Sequence, residues 1–266
     1  MMGWRLPLRI ALRNLRSGTG GFRIFLVCLI LGVAAIASVG SLSQAVEQGL
    51  EEEGQPLLGG DVEFALIHRQ LSDEQRREIS SHGDISTVAT LRAMASSAGQ
   101  RALVEVKAVD DRYPLYGTLE LTPATALADI LAIRNGRHGV AVDPLLLTRL
   151  DLEVGDPLQV GDLEFDVRAA IRTEPDRVSD GFILGPRVLM TGAGLDATGL
   201  VKPGSLLTWR YRLKLDRPEL LQSIAERLKA QFPDAGWRVR LRDAAAPGVA
   251  RYVERLTLFL TLVGLT

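Results

Sequence analysis

The sequence predicts a membrane protein with an N-terminal transmembrane helix, a two-lobed α+β domain outside the cytoplasm, and the start of a second transmembrane helix. Three observations lead to this fold class. Residues 24–46 carry no charge, residues 256–266 form a second apolar segment, and strand and helix patterns alternate between the two. A helix of about 20 apolar residues covers the hydrocarbon thickness of a bilayer.

The charge of the chain changes sign along its length. Residues 1–23 hold five arginines and no carboxylate, whereas the rest of the chain has 26 basic and 32 acidic side chains. Lysine and arginine concentrate on the cytoplasmic flank of a span, so we expect the N-terminus inside and residue 47 onward outside. The overall balance of 31 basic and 32 acidic residues argues against a nucleic-acid partner. A single cysteine, Cys28, excludes a disulfide-stapled fold.

These patterns divide the chain into four predicted segments. They are a cytoplasmic amphipathic lead at 1–21, transmembrane helix 1 at 22–45, an α+β domain at 46–250, and the truncated beginning of transmembrane helix 2 at 251–266. The last segment has no cap, turn or polar tail after Arg255. Because the final carbonyls of a helix need partners, we expect the sequence to stop inside a span.

Both apolar segments have an alternative interpretation. Ala35, Ile36 and Ala37 have the small-x-small form of a signal-peptide cleavage site, although 23 residues make a long leading region. The eleven apolar residues at the C-terminal end also suit a buried core helix, because that length alone does not establish a membrane span.

Local patterns predict the elements of the first part of the domain in order. Apolar alternation predicts a strand over 61–68, and Ser72 with Gln75 forms a capping box that opens a helix to about residue 80. Strand patterns over 85–94 and 102–109, separated by a small polar segment, predict a hairpin. We further expect a helix over 124–133, and Asp143 followed by Pro144 predicts a helix to about residue 149.

The second part of the domain is richer in strands. A turn at Gly161 and Asp162 joins predicted strands over 158–160 and 163–171. Alternation predicts a strand over 206–215, followed by a helix from Pro218 to about residue 228 and a strand over 237–241. We therefore expect strand–helix–strand units near both ends of the domain, enclosing a β-rich insertion.

Motifs that would indicate an enzyme, a metal or a bound cofactor are weak or missing. Residues 192–197 fit a dinucleotide fingerprint, but Gly199 and Pro203 interrupt the full helix that such a fold requires. The sequence contains no P-loop and no serine nucleophile elbow. The three histidines, His68, His82 and His138, lie far apart in the sequence, which argues against a metal site. We therefore expect no catalytic residue and no cofactor.

A family resemblance rests on residues at both ends of the chain. Ala11-Leu-Arg-Asn-Leu-Arg16, ahead of the predicted span, resembles the lead of FtsX-like, MacB-type ABC transporter permeases. Further stretches are similar to the YbbP-like branch of that family: 21–25, 31–37, 39–43, 58–63, 232–237, 245–248 and 254–266. The middle of the chain matches loosely, as at Val154-Gly-Asp156.

This resemblance implies a permease subunit of the bacterial inner membrane, with the N-terminus in the cytoplasm and a MacB-like domain in the periplasm. It implies a separate cytoplasmic ABC ATPase that binds ATP, a lipid bilayer around the spans, and a dimer or pseudo-dimer of permease halves. The system would export a lipid, a lipoprotein or another cargo, or transmit force to the periplasm. Family members are longer than this chain, which we expect to be an N-terminal fragment. Candidate contacts with the ATPase or the inner leaflet are Arg9, Arg13, Asn14 and Arg16.

Two other function classes stay open at the level of sequence. The first is a membrane-anchored sensor, in which two transmembrane helices flank an extracytoplasmic ligand-binding domain and a signalling module follows. The second is a secreted hydrolase whose leader is cleaved near Ser38. A permease would continue beyond residue 266 with more apolar spans, whereas a sensor would continue with a charged linker and a heptad-patterned helix.

Overall fold

The computed structural model describes residues 19–177, 185–202 and 204–242. Contacts divide the chain into two units, and one of them, Leu50–Ala246, contains the whole sheet. The other unit is described at residues 19–49, which belong to a helix. The predicted second span at 251–266 and most of the cytoplasmic lead lie outside these ranges, so both stay predictions.

The first helix, α1 (Thr19–Leu58), contains the uncharged segment predicted to cross a membrane. Several of its apolar side chains are exposed, among them Phe22, Ile24, Phe25 and Leu31. By length and hydropathy together, none of the helices in the described ranges qualifies as a membrane span. The span over 22–45 stays a prediction.

We call the unit Leu50–Ala246 the compact unit. Its elements follow the predicted alternation of strands and helices. They are β1 (Val62–Ile67), α2 (Asp73–Ser80), β2 (Gly83–Ser97), β3 (Gln100–Val109), β4 (Glu120–Thr122), α3 (Leu127–Leu131), β5 (Ile133–Arg134), β6 (Arg137–Val142), α4 (Pro144–Leu150), β7 (Pro157–Val160), β8 (Leu163–Thr173), β9 (Arg187–Thr191), α5 (Gly192–Ala197), β10 (Thr208–Leu215), α6 (Leu221–Gln231) and β11 (Arg238–Leu241). Single 3-10 turns, Pro218–Leu220 and Pro233–Ala235, flank α6.

The two ends of this unit form a ferredoxin-like half. The units β1-α2-β2 and β10-α6-β11 interleave in one antiparallel sheet of order β11-β1-β10-β2, which is the split strand–helix–strand arrangement. A shared hydrophobic core includes Phe64 on β1, Tyr211 on β10, Ile79 on α2 and Ile224 on α6. The predicted strand–helix–strand units at both ends of the domain are present.

The β-rich insertion between these units closes on itself as a barrel. Strand pairing runs β2-β3-β9-β6-β8-β7 and returns from β7 to β2 through Ala95 with Val160 and Ser96 with Gln159. Each of the six strands contributes a fully buried side chain to one core: Ala95, Val104, Val188, Val140, Phe165 and Leu158. Side chains alone fill the interior of such a small barrel.

Most of the predicted elements form, with two differences. The helix expected over 124–133 is a five-residue helix, Leu127–Leu131, because Ala126 provides no side-chain cap and the chain turns into β5 at Ile133. Strands β4, β5, β6 and β9 were not predicted. The capping box at Ser72 and the Asp143-Pro144 helix start are both present.

Candidate functional site: a buried charge network

Charged side chains line up across one face of the sheet. Strand alternation and register place Glu63 opposite Arg212 and Arg240, Thr90 opposite Lys107, and Glu105 opposite Arg187, all on the same side. The segment after β8 then covers this face with Glu174 and Asp176. We call the result the buried charge network; its members are Asp61, Glu63, Lys107, Glu174, Asp176, Arg187 and Arg212, each at most 7% exposed.

Lys107 lies at the centre of the network. Its Nζ donates to Glu174 Oε1 at 2.7 Å, to Asp176 Oδ2 at 2.6 Å and to the Tyr113 hydroxyl at 3.0 Å. Arg187 Nε donates to the other Glu174 oxygen at 3.1 Å, and Arg212 bonds to Asp176. The two carboxylates after β8 therefore connect cations from three strands, β3, β9 and β10.

Asp61 connects the two ends of the compact unit. Its carboxylate accepts hydrogen bonds from Gln55 Nε2 on α1 at 2.8 Å, Tyr116 OH at 2.9 Å, Leu215 N on β10 at 2.9 Å and Arg242 Nη1 after β11 at 2.9 Å. The end of α1 is thus bound through one buried carboxylate to the end of the last strand. These are the segments through which the chain enters and leaves the unit.

Close backbone contact reinforces the same junction. Gly59 ends α1 with a φ of +73°, and its N–H bonds to the Gln55 carbonyl at 2.8 Å, as is usual for a glycine after a helix. One turn earlier, Gly54 lies against the residue after β11: a Cβ at this position would be 2.6 Å from the Arg242 carbonyl oxygen. The helix and the strand end approach this closely because residue 54 has no side chain.

The network shifts the pKa of Asp176 and of two tyrosines that bond to its carboxylates. Burial alone would raise the pKa of Asp176, but the positive charges of Arg212 and Lys107, together with hydrogen bonds from Lys107 and Tyr113, hold the pKa of this carboxyl well below its usual range. Burial, with the negative charges of Asp176 and Glu174, raises the pKa of the Tyr113 hydroxyl. Burial and the hydrogen bond to Asp61 likewise raise the pKa of Tyr116. Asp176 is therefore charged, and Tyr113 and Tyr116 are neutral, at physiological pH.

Such burial indicates a structural link more than a catalytic centre. A substrate in solution does not reach carboxylates that lie beneath the segment after β8. Ion pairs of this kind hold their elements in one arrangement, and removing one partner leaves an uncompensated buried charge, which costs about 3–5 kcal/mol. The network is thus suited to hold the end of α1 at Gln55, the central strands and the end of β11 together.

Other candidates from the sequence lie elsewhere. The predicted contacts Arg9, Arg13, Asn14 and Arg16 fall outside the described residues. Within the described ranges, no three His, Cys, Asp or Glu side chains are grouped to hold a metal ion. His82 pairs with Glu78 at 3.7 Å, and His68 Nδ1 lies 2.7 Å from the Ser205 carbonyl oxygen. The glycine motif at 192–197, interpreted from the sequence as a plain glycine-rich loop, forms the six-residue helix α5, which is too short for the full helix that a dinucleotide fold requires.

The comparisons with known proteins agree with the resemblance found in the sequence. Over 240 residues, 90% of its length, the chain is 30% identical to the uncharacterized ABC transporter permease YbbP of Escherichia coli (strain K12). The chain is a homologue of this ABC transporter permease. It spans 29% of the length of that relative. No family model matches the chain.

Two solved structures are similar to the chain at low sequence identity. The periplasmic region of MacB from Actinobacillus actinomycetemcomitans is 10% identical; the match covers 73% of this chain and 95% of that one, with a TM-score of 0.46. The extracellular domain of the noncanonic ABC-type transporter YknZ from Gram-positive bacteria is 8% identical; the match covers 67% of this chain and 99% of that one, with a TM-score of 0.47.

Proposed function

We propose that this homologue of an ABC permease works as part of the transmembrane subunit of an ABC-type transport or mechanotransmission system. A separate cytoplasmic ATPase hydrolyses ATP, and the subunit couples that hydrolysis to its periplasmic domain. The observation that carries the proposal is the 30% identity to a permease over 90% of the chain. The cargo is a lipid, a lipoprotein or another exported molecule, and permease halves pair as a dimer or pseudo-dimer.

Charge distribution supports the proposed topology. Five arginines and no carboxylate precede the uncharged segment at 24–46, and four glutamates follow within seven residues of its end. This asymmetry favours a cytoplasmic N-terminus in the bacterial inner membrane. Arg9, Arg13, Asn14 and Arg16 would then lie on the cytoplasmic side, where they contact the ATPase or the anionic inner leaflet.

The buried charge network supports a role in force transmission. Asp61 binds the end of α1, strand β10 and the end of β11 through hydrogen bonds of 2.8–2.9 Å. A displacement of the end of α1 at Gln55 would therefore act on the sheet through Asp61, because the same carboxylate is bound to β10 and to the residue after β11.

The proposal is tested by co-purification of the full-length permease with its cognate ATPase. The variant Arg13→Glu/Arg16→Glu should lose ATPase binding, because two cations of the proposed contact change sign. The control Arg5→Glu reverses the charge of an arginine in the lead outside the proposed contact, so it should keep ATPase binding.

Orientation is measured in the same samples. A Ser97→Cys substitution in the exposed β2–β3 hairpin should react with a membrane-impermeant maleimide from the periplasmic side in all variants. If wild type captures no ATPase, or if Arg13→Glu/Arg16→Glu and the control capture it equally with unchanged orientation, the proposed coupling role of these residues is wrong.

A further inference from the structure

A cleft of about 930 Å³ opens on the other face of the sheet from Lys107, and Tyr113, whose hydroxyl bonds to Lys107, lines part of it. Its floor is a cross-strand row in which Ala89 on β2 is in register with Trp209 on β10 and Ala108 on β3. Helix α2 forms one wall, and α3 with the start of α5 forms the other. The cleft therefore lies where the ferredoxin-like half meets the barrel.

The floor is apolar and made of small side chains. Ala89 and Ala108 are buried, and Ile85, Val109 and Leu131 complete an apolar surface beside them. Two alanines in the centre of a sheet leave the space that larger residues would fill. Cavities of roughly 300–1,000 Å³ with an apolar lining and a few polar groups are typical of small-molecule sites.

Five charged side chains line the cleft, and three of them already bind other residues of the chain. Arg112 pairs with Asp84 at 3.0 Å, and Arg76 lies 5.3 Å from the centre of the Tyr211 ring. Asp110 accepts hydrogen bonds from the Ser86 hydroxyl at 2.7 Å and from the Thr87 N–H at 2.5 Å. These three residues are occupied in holding the structure.

Two further aspartates line the cleft and are exposed: Asp111 after β3 and Asp196 on α5. Neither carboxylate accepts a hydrogen bond or an ion pair from any part of the chain that the structure describes. The lining as a whole has two arginines and three aspartates, so its net charge is −1. The charge that remains for a ligand is negative and lies next to an apolar floor.

We infer that this cleft binds a cationic amphiphile, a molecule with an apolar body and a protonated amine or equivalent cation. The apolar part would lie on Ala89, Ala108 and Trp209, and the cation would pair with Asp111 and Asp196. An anionic ligand of the same shape would meet two unpaired carboxylates at the rim. This inference goes beyond the proposed function, because the binding requires neither the ATPase nor movement of the chain.

The test uses three eight-carbon probes of different charge: octylammonium, octanol and octanoate. Binding to the full chain in lipid nanodiscs is measured by saturation-transfer NMR, with empty nanodiscs subtracted to remove partitioning into lipid. Wild type should bind octylammonium more tightly than octanoate by about fivefold, as expected for one or two exposed ion pairs. Octanol should lie between them.

Substitutions separate the cleft from other sites. Asp111→Asn/Asp196→Asn should abolish the preference for the cation, whereas Asp129→Asn/Asp234→Asn removes the same charge from exposed positions outside the cleft and should keep it. Ala128→Trp places an indole into the cleft from an exposed position on α3 and should weaken binding of all three probes.

Circular dichroism and urea unfolding of each variant check that the fold is kept. Equal binding of cation and anion by wild type would overturn the inference, and so would tighter binding of octanoate. It is also wrong if Ala128→Trp folds normally and leaves binding unchanged, because the probes then bind elsewhere.

Discussion

Asp176 shows how much the fold depends on one buried charge. The carboxylate lies between Lys107 and Arg212, and both cations are enclosed with it. Asp176→Asn keeps the shape of the side chain but removes the charge that compensates them. We expect it to lower the free energy of unfolding by about 3 kcal/mol at pH 7, in the range for breaking a buried pair.

The loss of unfolding free energy caused by Asp176→Asn should depend on pH. Because the folded-state pKa of Asp176 lies below the unfolded value of about 3.9, its contribution to stability is complete above that value and is lost as the pH falls further. The difference between wild type and Asp176→Asn should therefore shrink below about pH 4. Urea unfolding of both proteins from pH 7 to pH 3 measures this difference in unfolding free energy.

The control is Asp84→Asn, which breaks the exposed pair with Arg112 and should cost less than about 1 kcal/mol at any pH. If Asp176→Asn lowered the free energy of unfolding by no more than this control, the network would not hold the sheet together.

At the level of elements, the contact between α1 and the end of β11 depends on Gly54. A Cβ there would lie 2.6 Å from the Arg242 carbonyl oxygen, so the helix or the strand end must shift. Gly54→Ala should increase hydrogen exchange of residues 238–242 and lower the urea midpoint, even though alanine favours a helix intrinsically.

The matched control for this prediction is Gly192→Ala. Gly192 is also helical, and a Cβ there meets nothing within 4 Å. It should leave hydrogen exchange of residues 238–242 unchanged and slightly raise stability. Equal exchange in the two variants would contradict the close approach at Gly54.

The elements that could be predicted from the sequence are those that depend on residues close together in the chain. The Ser72 capping box, the Asp143-Pro144 helix start and the β2–β3 hairpin each depend on neighbouring residues, and each forms. Strand β6 was missed although Asn135 and Gly136, both at positive φ, make the hairpin turn that joins it to β5. Closure of the barrel depends on the pairing of Ala95 with Val160. These residues are far apart in the sequence, so no local pattern predicts their contact.

The buried charge network could not be predicted for a related reason. Alternation over 206–215 identifies Leu213 and Leu215 as one apolar face and leaves Arg212 on the other. That second face is also covered, because the segment after β8 folds over it from more than 30 residues away. Lys107, which lies between the apolar Val106 and Ala108, was an available signal, since a lysine is almost never fully buried unless it is paired.

At the level of the whole compact unit, two features join the ferredoxin-like half to the barrel. Strand β2 pairs with β10 through residues 83–90 and with the barrel strands through residues 88–97. Trp209 packs against the hydrophobic cores of both parts. The two lobes predicted from the sequence therefore share a sheet and a core boundary, and we expect neither to unfold alone.

This expectation is tested by weakening one part and observing the other. Leu158→Ala creates a cavity inside the barrel, and Leu228→Ala creates one beneath α6; each should cost about 3 kcal/mol. Trp237 reports on the ferredoxin-like half, where its ring lies 5.0 Å from that of Phe64. With 5-fluorotryptophan incorporated and Trp209 kept in place, Leu158→Ala should lower the urea midpoint of the Trp237 fluorine-NMR signal as much as the circular dichroism midpoint. Separate transitions would show instead that β2 transmits no cooperativity between the two parts.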